Sequence, residues 1–333
     1  MKTLVIGDLH FDNKPFGLLE AQKQCIKDII HSNEDVDDII FLGDLMMHRK
    51  PYPCVLLALK EVIDYASGYS KVTIIRGNHD SENKSDDGVT ALSLFESDRV
   101  NVITQTWYDD KTKRAFIPHY EDEDRIKTDL ASVPRGYTVF GHFGYCGSLN
   151  SAGDNDFSLL PTDFVNSTYL GHIHRHARTK NITLLGTPYS TNYTEHLKEN
   201  FYALIQNGAA QYKPIEFGPR HLVVDYESIE ENLDWINDKK YFTLLRIIIN
   251  TVDADQDSVA TLMDKLEVGY VEVKYKPVTD EKLPQSELDP DSPITNVSDA
   301  LIEDYINASN TKIPKEVLLN SLQTIYENKQ SRD

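Results

Sequence analysis

Short aliphatic and β-branched runs alternate with amphipathic segments along the first part of the chain. Such runs are typical of buried strands, whereas apolar residues three and four positions apart indicate helices. The predicted strands occupy residues 4–6, 39–42, 72–75, 137–140 and 167–170. Helical spacing covers residues 18–30 and 53–65, and the second of these begins with a proline. Residues 1–217 are therefore predicted to form one α/β sandwich.

The pattern changes in the last third of the chain. Residues 218–276 alternate strand-like and helix-like runs in the order βαβαβ, which predicts a smaller α/β unit. Residues 277–294 are acidic and rich in proline, as in a linker. Residues 295–333 contain two short amphipathic patterns that predict a helix pair. A length of 333 residues fits more than one core.

Each of the first five predicted strands is followed by glycine and by residues that can bind a metal ion. These candidate ligands are Asp8, His10, Asp44, Asn78, His142, His172 and His174. In α/β sheets, ligands bind at the carboxyl ends of the strands. The sequence therefore predicts a polar site where these strands end.

Carboxylate, imidazole and amide groups favour manganese, zinc or iron over the softer metals that thiolates select. Asp8 and His10 are two positions apart, so on a strand both side chains would leave the same face. His172 and His174 repeat this spacing. Seven candidates exceed the four to six ligands of one ion, which indicates two ions that share a carboxylate. Asp44, alone at its strand end, is the natural bridge.

This ordered set resembles the calcineurin-like metallophosphoesterase superfamily, whose pattern is Asp-x-His, Gly-Asp, Gly-Asn-His-Asp/Glu, Gly-His and Gly-His-x-His. The resemblance implies an αββα sandwich and a phosphoester hydrolase. It assigns one metal to Asp8, His10, Asp44 and His174, and the second to Asp44, Asn78, His142 and His172. His79 resembles the histidine of that family which is not a ligand and faces the scissile phosphate. Asp80 either orients a neighbouring group or caps a helix.

Two further segments are similar to SbcD-type DNA nucleases, the small subunits of a double-strand-break repair complex. They are residues 43–51 and the Gly-Thr-Pro turn at residues 186–188. That family commonly has Asp or His where this chain has Met47, and His48 is the candidate substitute. This resemblance implies a manganese-dependent exonuclease on double-stranded DNA and endonuclease on single-stranded DNA, although magnesium, zinc or iron also fits the ligands.

The same resemblance implies partners. Residues 218–276 would form a capping domain beside the DNA groove, and the C-terminal helix pair would grip the coiled coil of an SbcC-like ATPase. The apolar anchors for that partner are Leu301, Ile302, Leu318, Leu322 and Ile325. Docking on their own domain is the other interpretation of these helices. A homodimer is expected, with residues 53–65 as a candidate interface, and the compact length suggests a bacteriophage protein.

Charge opposes simple binding to nucleic acid. The formal net charge is −19, from 34 Lys and Arg against 53 Asp and Glu, whereas phosphate binding requires positive charge. Candidate DNA contacts near the motifs are Arg49, Lys50, Arg175 and Arg178, and His176 is a candidate neighbour of the ligands. The rival interpretations are a stand-alone phosphatase, a cyclic-nucleotide phosphodiesterase, and a scaffold with a degenerate metal site.

Three scattered cysteines, Cys25, Cys54 and Cys146, predict buried reduced thiols rather than disulfides. The sequence shows neither a signal peptide nor a membrane span. These features predict a location in the reducing cytoplasm, which is the host-cell cytoplasm for a bacteriophage protein.

Overall fold

The computed structural model describes residues 1–148, 157–250 and 256–276. The helices in chain order are α1 (Leu18–His31), α2 (Pro53–Tyr69), α3 (Glu123–Ser132), α4 (Leu233–Ile236) and α5 (Gln256–Met263). The strands of the first half are β1 (Lys2–Ile6), β2 (Asp38–Phe41), β3 (Lys71–Ile75), β4 (Val100–Ile103), β5 (Trp107–Asp109), β6 (Arg114–Ile117) and β7 (Thr138–His142). Those of the second half are β8 (Ser167–Gly171), β9 (Ala177–Thr179), β10 (Ile182–Leu184), β11 (Phe201–Gln206), β12 (Ala209–Pro214), β13 (Gly218–Asp225), β14 (Tyr241–Asn250) and β15 (Tyr270–Lys276).

Two six-stranded mixed sheets form the larger part of the fold. The first has the order β12-β11-β1-β2-β3-β4 and the second the order β5-β6-β7-β8-β10-β9. Within the first sheet, β1, β2, β3 and β4 are parallel, and within the second sheet β6, β7, β8 and β10 are parallel. The carboxyl ends of the central strands of each sheet therefore lie together, which positions the residues that follow them.

The two sheets pack face to face, with helices on the outside. On β1, Val5 belongs to the apolar layer between the sheets, whereas Leu4 and Ile6 belong to the layer beneath α1 and α2. This alternation follows from the twofold period of a strand. Ile126 and Leu130 of α3 pack on the outer face of the second sheet. The predicted αββα sandwich is confirmed.

A three-stranded parallel sheet, β13-β14-β15, follows the sandwich and has its own apolar cluster. Gly218 at its start packs against Cys25 of α1, and the backbone N–H of His221 donates to Ser190 Oγ at 2.7 Å. The predicted βαβαβ order differs in detail, because residues 226–236 form 3₁₀ turns and only one short α-helix.

The predicted linker at 277–294 and helix pair at 295–333 lie outside the described residues. The three cysteines are unpaired, and Cys25 is buried as predicted, whereas Cys54 is exposed on α2. Of the described helices, none is both long enough and apolar enough to cross a membrane.

Candidate metal centre

Polar side chains from both sheets lie close together at the carboxyl ends of their strands. Asp8 and His10 follow β1, Asp44 follows β2, and Asn78 follows β3. From the second sheet, His142 ends β7, and His172 and His174 follow β8. All seven candidate ligands are therefore brought to the same edge of the sandwich, and Asp8, His10, Asp44 and His142 are fully buried there.

Asp44 lies at the centre of the cluster. Its Oδ2 is 3.7 Å from His10 Nε2 and 3.3 Å from His142 Nε2. Two groups of side chains have ligand atoms close enough to hold a metal ion, and they are His10, Asp44 and His79, and Asp44, His142 and His172. Asp44 belongs to both. This arrangement is the one that a carboxylate bridging two cations requires.

His174 lies beside the first group, and Asp8 lies between the two sheets. His10 Nε2 and His174 Nε2 lie 3.0 Å apart. Two nitrogens that bind one ion at about 2.1 Å and at a right angle are separated by about 3 Å, so these rings fit a shared cation. The carboxylate of Asp8 accepts hydrogen bonds from the backbone N–H of His172, at 2.9 and 3.1 Å. That contact ties the two sheets together at the site.

The second group gathers electron-rich atoms around one point. His142 Nδ1 lies 2.7 Å from Leu42 O and donates to it, so that Nε2 is left to face Asn78 Oδ1 at 3.1 Å and Asp44 Oδ2 at 3.3 Å. His172 Nδ1 is 2.9 Å from the same Asn78 oxygen. Acceptor atoms at these distances repel one another unless positive charge lies between them. The donor set therefore fits a bound cation.

His79 is held by two hydrogen bonds at the edge of the first group. Its backbone N–H donates to Asp44 Oδ1 at 2.8 Å, and its Nδ1 donates to the backbone carbonyl of Met47 at 2.6 Å. The other ring nitrogen is thereby left for the site, and the ring lies edge-on to His10 at 4.9 Å between centroids. His79 is also close enough to His10 and Asp44 that the three side chains could hold one cation.

At Met47, where SbcD-type nucleases commonly have Asp or His, the backbone makes the contact to His79. The carbonyl of Met47, rather than a side chain, orients His79. His48 does not substitute, because it is exposed and its Nε2 lies 3.9 Å from Asp12. A main-chain acceptor at this position makes no demand on the side chain, which explains why methionine is compatible with the site.

Asp80 links the loop after β3 to the loop after β2 by hydrogen bonds. Its buried carboxylate accepts hydrogen bonds from the backbone N–H groups of Gly77, Leu45 and Met46 at 3.0 to 3.3 Å. The interpretation of Asp80 as a helix cap is wrong, because Asp80 ends a turn and a β-bridge at Ser81, not a helix, follows it. Burial raises the pKa of Asp80 to about 7. It acts on the site by fixing the Asp44 loop.

Two residues at the centre carried no motif signal. Glu195, in a 3₁₀ segment, has its Oε1 2.6 Å from His174 Nδ1. This contact fixes the Nδ1 proton and leaves Nε2 free for a metal, as in carboxylate–histidine–metal triads. His119 stacks on His172 with 5.6 Å between ring centroids. It follows β6, so the rule of polar residues at strand ends could have identified it.

A comparison with known protein families agrees with this geometry. The profile of the calcineurin-like phosphoesterases matches residues 1–234. The chain belongs to that family. Its members use divalent metals to hydrolyse phosphoesters, and the two groups that share Asp44 supply the side chains for such ions.

Solved structures to which the chain is similar include a Pseudomonas putida nuclease, MPE, at 20% identity and a TM-score of 0.29. The match covers 42% of this chain and 60% of that one, so the phosphoesterase chain spans less than two thirds of the nuclease. An archaeal phosphodiesterase is 11% identical over 64% of this chain and 99% of its own, with a TM-score of 0.34. No curated protein matches the sequence.

Charges within the phosphoesterase site are strongly coupled. Burial raises the pKa of Asp8 to about 6. Burial also opposes ionisation of Asp44, yet His142 beside it holds the pKa of Asp44 well below its ordinary value. The pKa of His142 would fall on burial, but the Asp44 carboxylate raises it to about 9. The centre therefore attracts positive charge, which a proton or a cation can satisfy.

Backbone conformation at three candidate ligands is unusual for residues with side chains. His10, Asp44 and His172 have φ angles of 45°, 49° and 80°, in the left-handed region. Such residues cost about 1 to 3 kcal/mol each. Neighbouring Gly171 permits close packing, because a Cβ there would lie 2.5 Å from Asp8 Oδ1 and 2.8 Å from Leu42 O.

The basic candidates have different surroundings. Arg49 Nη2 lies 3.3 Å from Glu121, and Lys50 and Arg175 are exposed. Arg178 lies over the ring of Tyr212 at 4.7 Å. His176 contacts the rings of Phe201 and Tyr212, so the structure places it against aromatic residues rather than among the candidate ligands.

Proposed function

We propose that this phosphoesterase is a two-metal DNA nuclease of the SbcD type. It would act as an exonuclease on double-stranded DNA and as an endonuclease on single-stranded DNA, with manganese as the metal. It would be the small subunit of an ATP-regulated recombination and repair complex, and bacteriophage origin is part of the proposal. The support comes from the site, from the cavity beside it and from the sequence similarities at residues 43–51 and 186–188.

The residues of the site have complementary tasks in phosphodiester hydrolysis. Asp8, His10, Asp44 and His174 would hold one ion, and Asp44, Asn78, His142 and His172 the other. Two bound cations lower the pKa of water and neutralise charge on the phosphate. His79 presents its Nε2 to the site while Met47 holds Nδ1, so it can donate a proton to the leaving oxygen.

The observation that carries the proposal is a cavity of about 480 Å³ between the sandwich and the small sheet. One wall includes Asp12 and Met47, which adjoin the metal centre, and the other includes Leu244, Tyr270 and Glu272 of β14 and β15. A single phosphate group needs only the metal centre. A second wall built by residues 218–276 gives room for a longer substrate, which favours a polymer over a small phosphoester and supports a capping domain there.

The remaining parts of the proposal concern partners. Residues 277–294 would be a linker, and the helix pair at 295–333 would bind an SbcC-like ATPase. A homodimer would use the outer side of α2, where Leu57 is exposed while Leu59 and Val62 are buried in the core. ATP-driven changes in that partner would control access of DNA to the active site of a chain whose net charge is −19.

The test is cleavage of end-labelled duplex and single-stranded DNA with manganese, for the wild-type chain and for His79→Ala. His79→Ala should lower turnover roughly a hundredfold, the usual scale for a positioned acid, and leave bound manganese unchanged by mass spectrometry. His31→Ala is the matched control, because His31 is exposed at the end of α1.

Three results would count against the proposal or its assignments. Hydrolysis of a p-nitrophenyl ester without DNA cleavage would favour a rival enzyme: the stand-alone phosphatase for p-nitrophenyl phosphate, a monoester, or the cyclic-nucleotide phosphodiesterase for bis(p-nitrophenyl) phosphate, a diester. A wild-type chain that binds manganese yet hydrolyses none of these substrates would favour the scaffold. Loss of one manganese ion in His79→Ala would make His79 a ligand, which its proximity to His10 and Asp44 allows.

A further inference from the structure

Beside the metal centre, three nitrogen-bearing side chains surround one carboxylate; we call Arg49, Lys84, His119 and Glu121 the Glu121 cluster. Glu121 Oε1 lies 3.3 Å from Arg49 Nη2 and 3.9 Å from His119 Nε2. Its Oε2 lies 3.9 Å from Lys84 Nζ. Only the Arg49 contact is short enough for a hydrogen bond, and it is long for a charge-assisted one. The Glu121 carboxylate therefore leaves part of the hydrogen-bonding capacity of Arg49, Lys84 and His119 unused.

The cluster has unused hydrogen-bonding capacity. Within the described part of the chain, Arg49 Nη1 and His119 Nδ1 are buried and have no hydrogen-bond partner. A buried N–H without an acceptor is costly. A guanidinium is a planar fork that matches two oxygens of one anion, but of the two Nη atoms of Arg49, Nη2 faces Glu121 and Nη1 has no partner among the described residues. A tetrahedral anion could occupy both prongs of Arg49.

The position of the cluster identifies the anion. His119 stacks on His172 and lies edge-on to His142, at centroid distances of 5.6 and 6.2 Å. Both of these rings are candidate ligands of the second metal. The Glu121 cluster is thus one imidazole ring away from the place where a scissile phosphate would bind. On a nucleic acid strand, the nearest other anion is the neighbouring phosphate.

We propose that the Glu121 cluster is a phosphate subsite that binds the phosphate next to the scissile one, and that Glu121 occupies it when no DNA is bound. The inference rests on the proposed nuclease function. Incoming phosphate oxygens displace the Glu121 carboxylate and take the donors of Arg49, Lys84 and His119. Only a ligand that binds these donors more tightly than the Glu121 carboxylate does would then occupy the subsite.

The backbone allows this exchange. The carboxylate of Asp86 accepts from the N–H groups of Glu121 and Asp122, at 3.0 and 3.1 Å, so the main chain is fixed while the Glu121 side chain rotates. That side chain is already 34% exposed and has solvent to enter.

The test measures binding, so that it does not depend on cleavage. The manganese-loaded full chain is titrated into a fluorescein-labelled hexathymidylate with phosphorothioate linkages, which resist hydrolysis, and anisotropy is read at several salt concentrations. Arg49→Met should weaken binding about tenfold, the scale of one charge-assisted hydrogen bond. It should also reduce the salt slope by about 0.7, the value for one phosphate contact on a single strand.

Two further variants make the test specific. Glu121→Gln should tighten binding about threefold or more, because a neutral side chain competes less and repels phosphate less. Arg135→Met is the matched control, since Arg135 is exposed before the amino end of β7, at the opposite edge of the sheet, and binding should not change.

A wild-type chain that does not bind the oligonucleotide would overturn the subsite. So would equal losses in Arg49→Met and Arg135→Met, or weaker binding by Glu121→Gln. Cleavage of ordinary hexathymidylate by the wild type is scored separately. Cleavage without dependence of binding on Arg49 rejects the subsite alone, and Arg49-dependent binding without cleavage rejects the nuclease function alone.

Discussion

Replacing Glu195 with glutamine should weaken one of the two metal sites and leave the other intact. Glu195 Oε1 lies 2.6 Å from His174 Nδ1, and Oε2 accepts from the backbone N–H of Thr191 at 2.8 Å and from Lys198 Nζ at 3.2 Å. Although burial opposes ionisation, these contacts hold the pKa of Glu195 well below its ordinary value. His174 therefore faces a charged carboxylate, which makes its Nε2 a stronger ligand.

Glutamine keeps the shape of Glu195 and one acceptor oxygen but loses the charge. Loss of such a partner typically lowers metal affinity about 10- to 100-fold, which is about 1.4 to 2.7 kcal/mol. The site that contains His174 should be the one affected, because His174 is the ligand whose ring the Glu195 carboxylate holds. The expected titration curve thus changes from two tight sites to one tight and one weak site.

The assay is isothermal titration of the metal-free chain with manganese chloride, followed by thermal unfolding to verify the fold. Glu199→Gln is the matched control: it makes the same chemical change four residues away, where the side chain is exposed. Equal weakening of both sites would show that Glu195 acts through general stability. Unchanged affinity at both sites in a folded Glu195→Gln chain would refute the role of the carboxylate in orienting His174.

Two other predictions rest on the structure, and a third rests on the proposed function. Gly171→Ala should reduce bound manganese, because the new Cβ would displace Asp8 or the Leu42 carbonyl; metal analysis of the folded variant checks this, and a full complement of two ions would contradict it. Burial lowers the pKa of His221 to about 4, so stability present above pH 6.5 should fall as the pH drops toward 4, by about 2 kcal/mol between pH 7 and pH 5. Urea unfolding at both pH values should show this loss reduced in His221→Asn, and an identical loss would assign it to other groups. Removal of residues 295–333 should leave manganese-dependent DNA cleavage intact but prevent co-elution with an SbcC-like ATPase, and normal co-elution would mean that these residues do not bind it.

The convergence of strand ends could be predicted because it depends on two properties that sequence displays. Apolar runs mark buried strands, and in parallel sheets the carboxyl ends of neighbouring strands meet. Asp8, Asn78 and His142 could therefore be expected at one edge from the amino-acid pattern alone. His119 obeys the same rule after β6, but the pattern did not single it out, because its strand is followed by no glycine motif.

Other features of the site have no sequence signature. The Met47 carbonyl orients His79 through main chain, which every residue possesses, so the side-chain identity at this position gives no information. Glu195 lies in a short 3₁₀ segment without apolar periodicity, and only the path of the chain brings it to His174. The alternation of residues predicts the three-stranded sheet, yet the segment between its first two strands contains two 3₁₀ turns and an α-helix of only four residues, because successive tight turns interrupt the helical pattern.

At His10, Asp44 and His172 the backbone is left-handed. Metal binding requires a side chain at these positions, whereas folding would be easier with glycine. Glycine would adopt these conformations without strain, but it would remove a ligand in each case. Strain of about 1 to 3 kcal/mol at each position is large beside the roughly 5 to 15 kcal/mol that stabilises a typical domain. The folded chain carries this strain with or without metal, and ions that bind only the folded chain would offset it by mass action. Metal supply would then set how much of the folded protein persists, as well as how much of it is active.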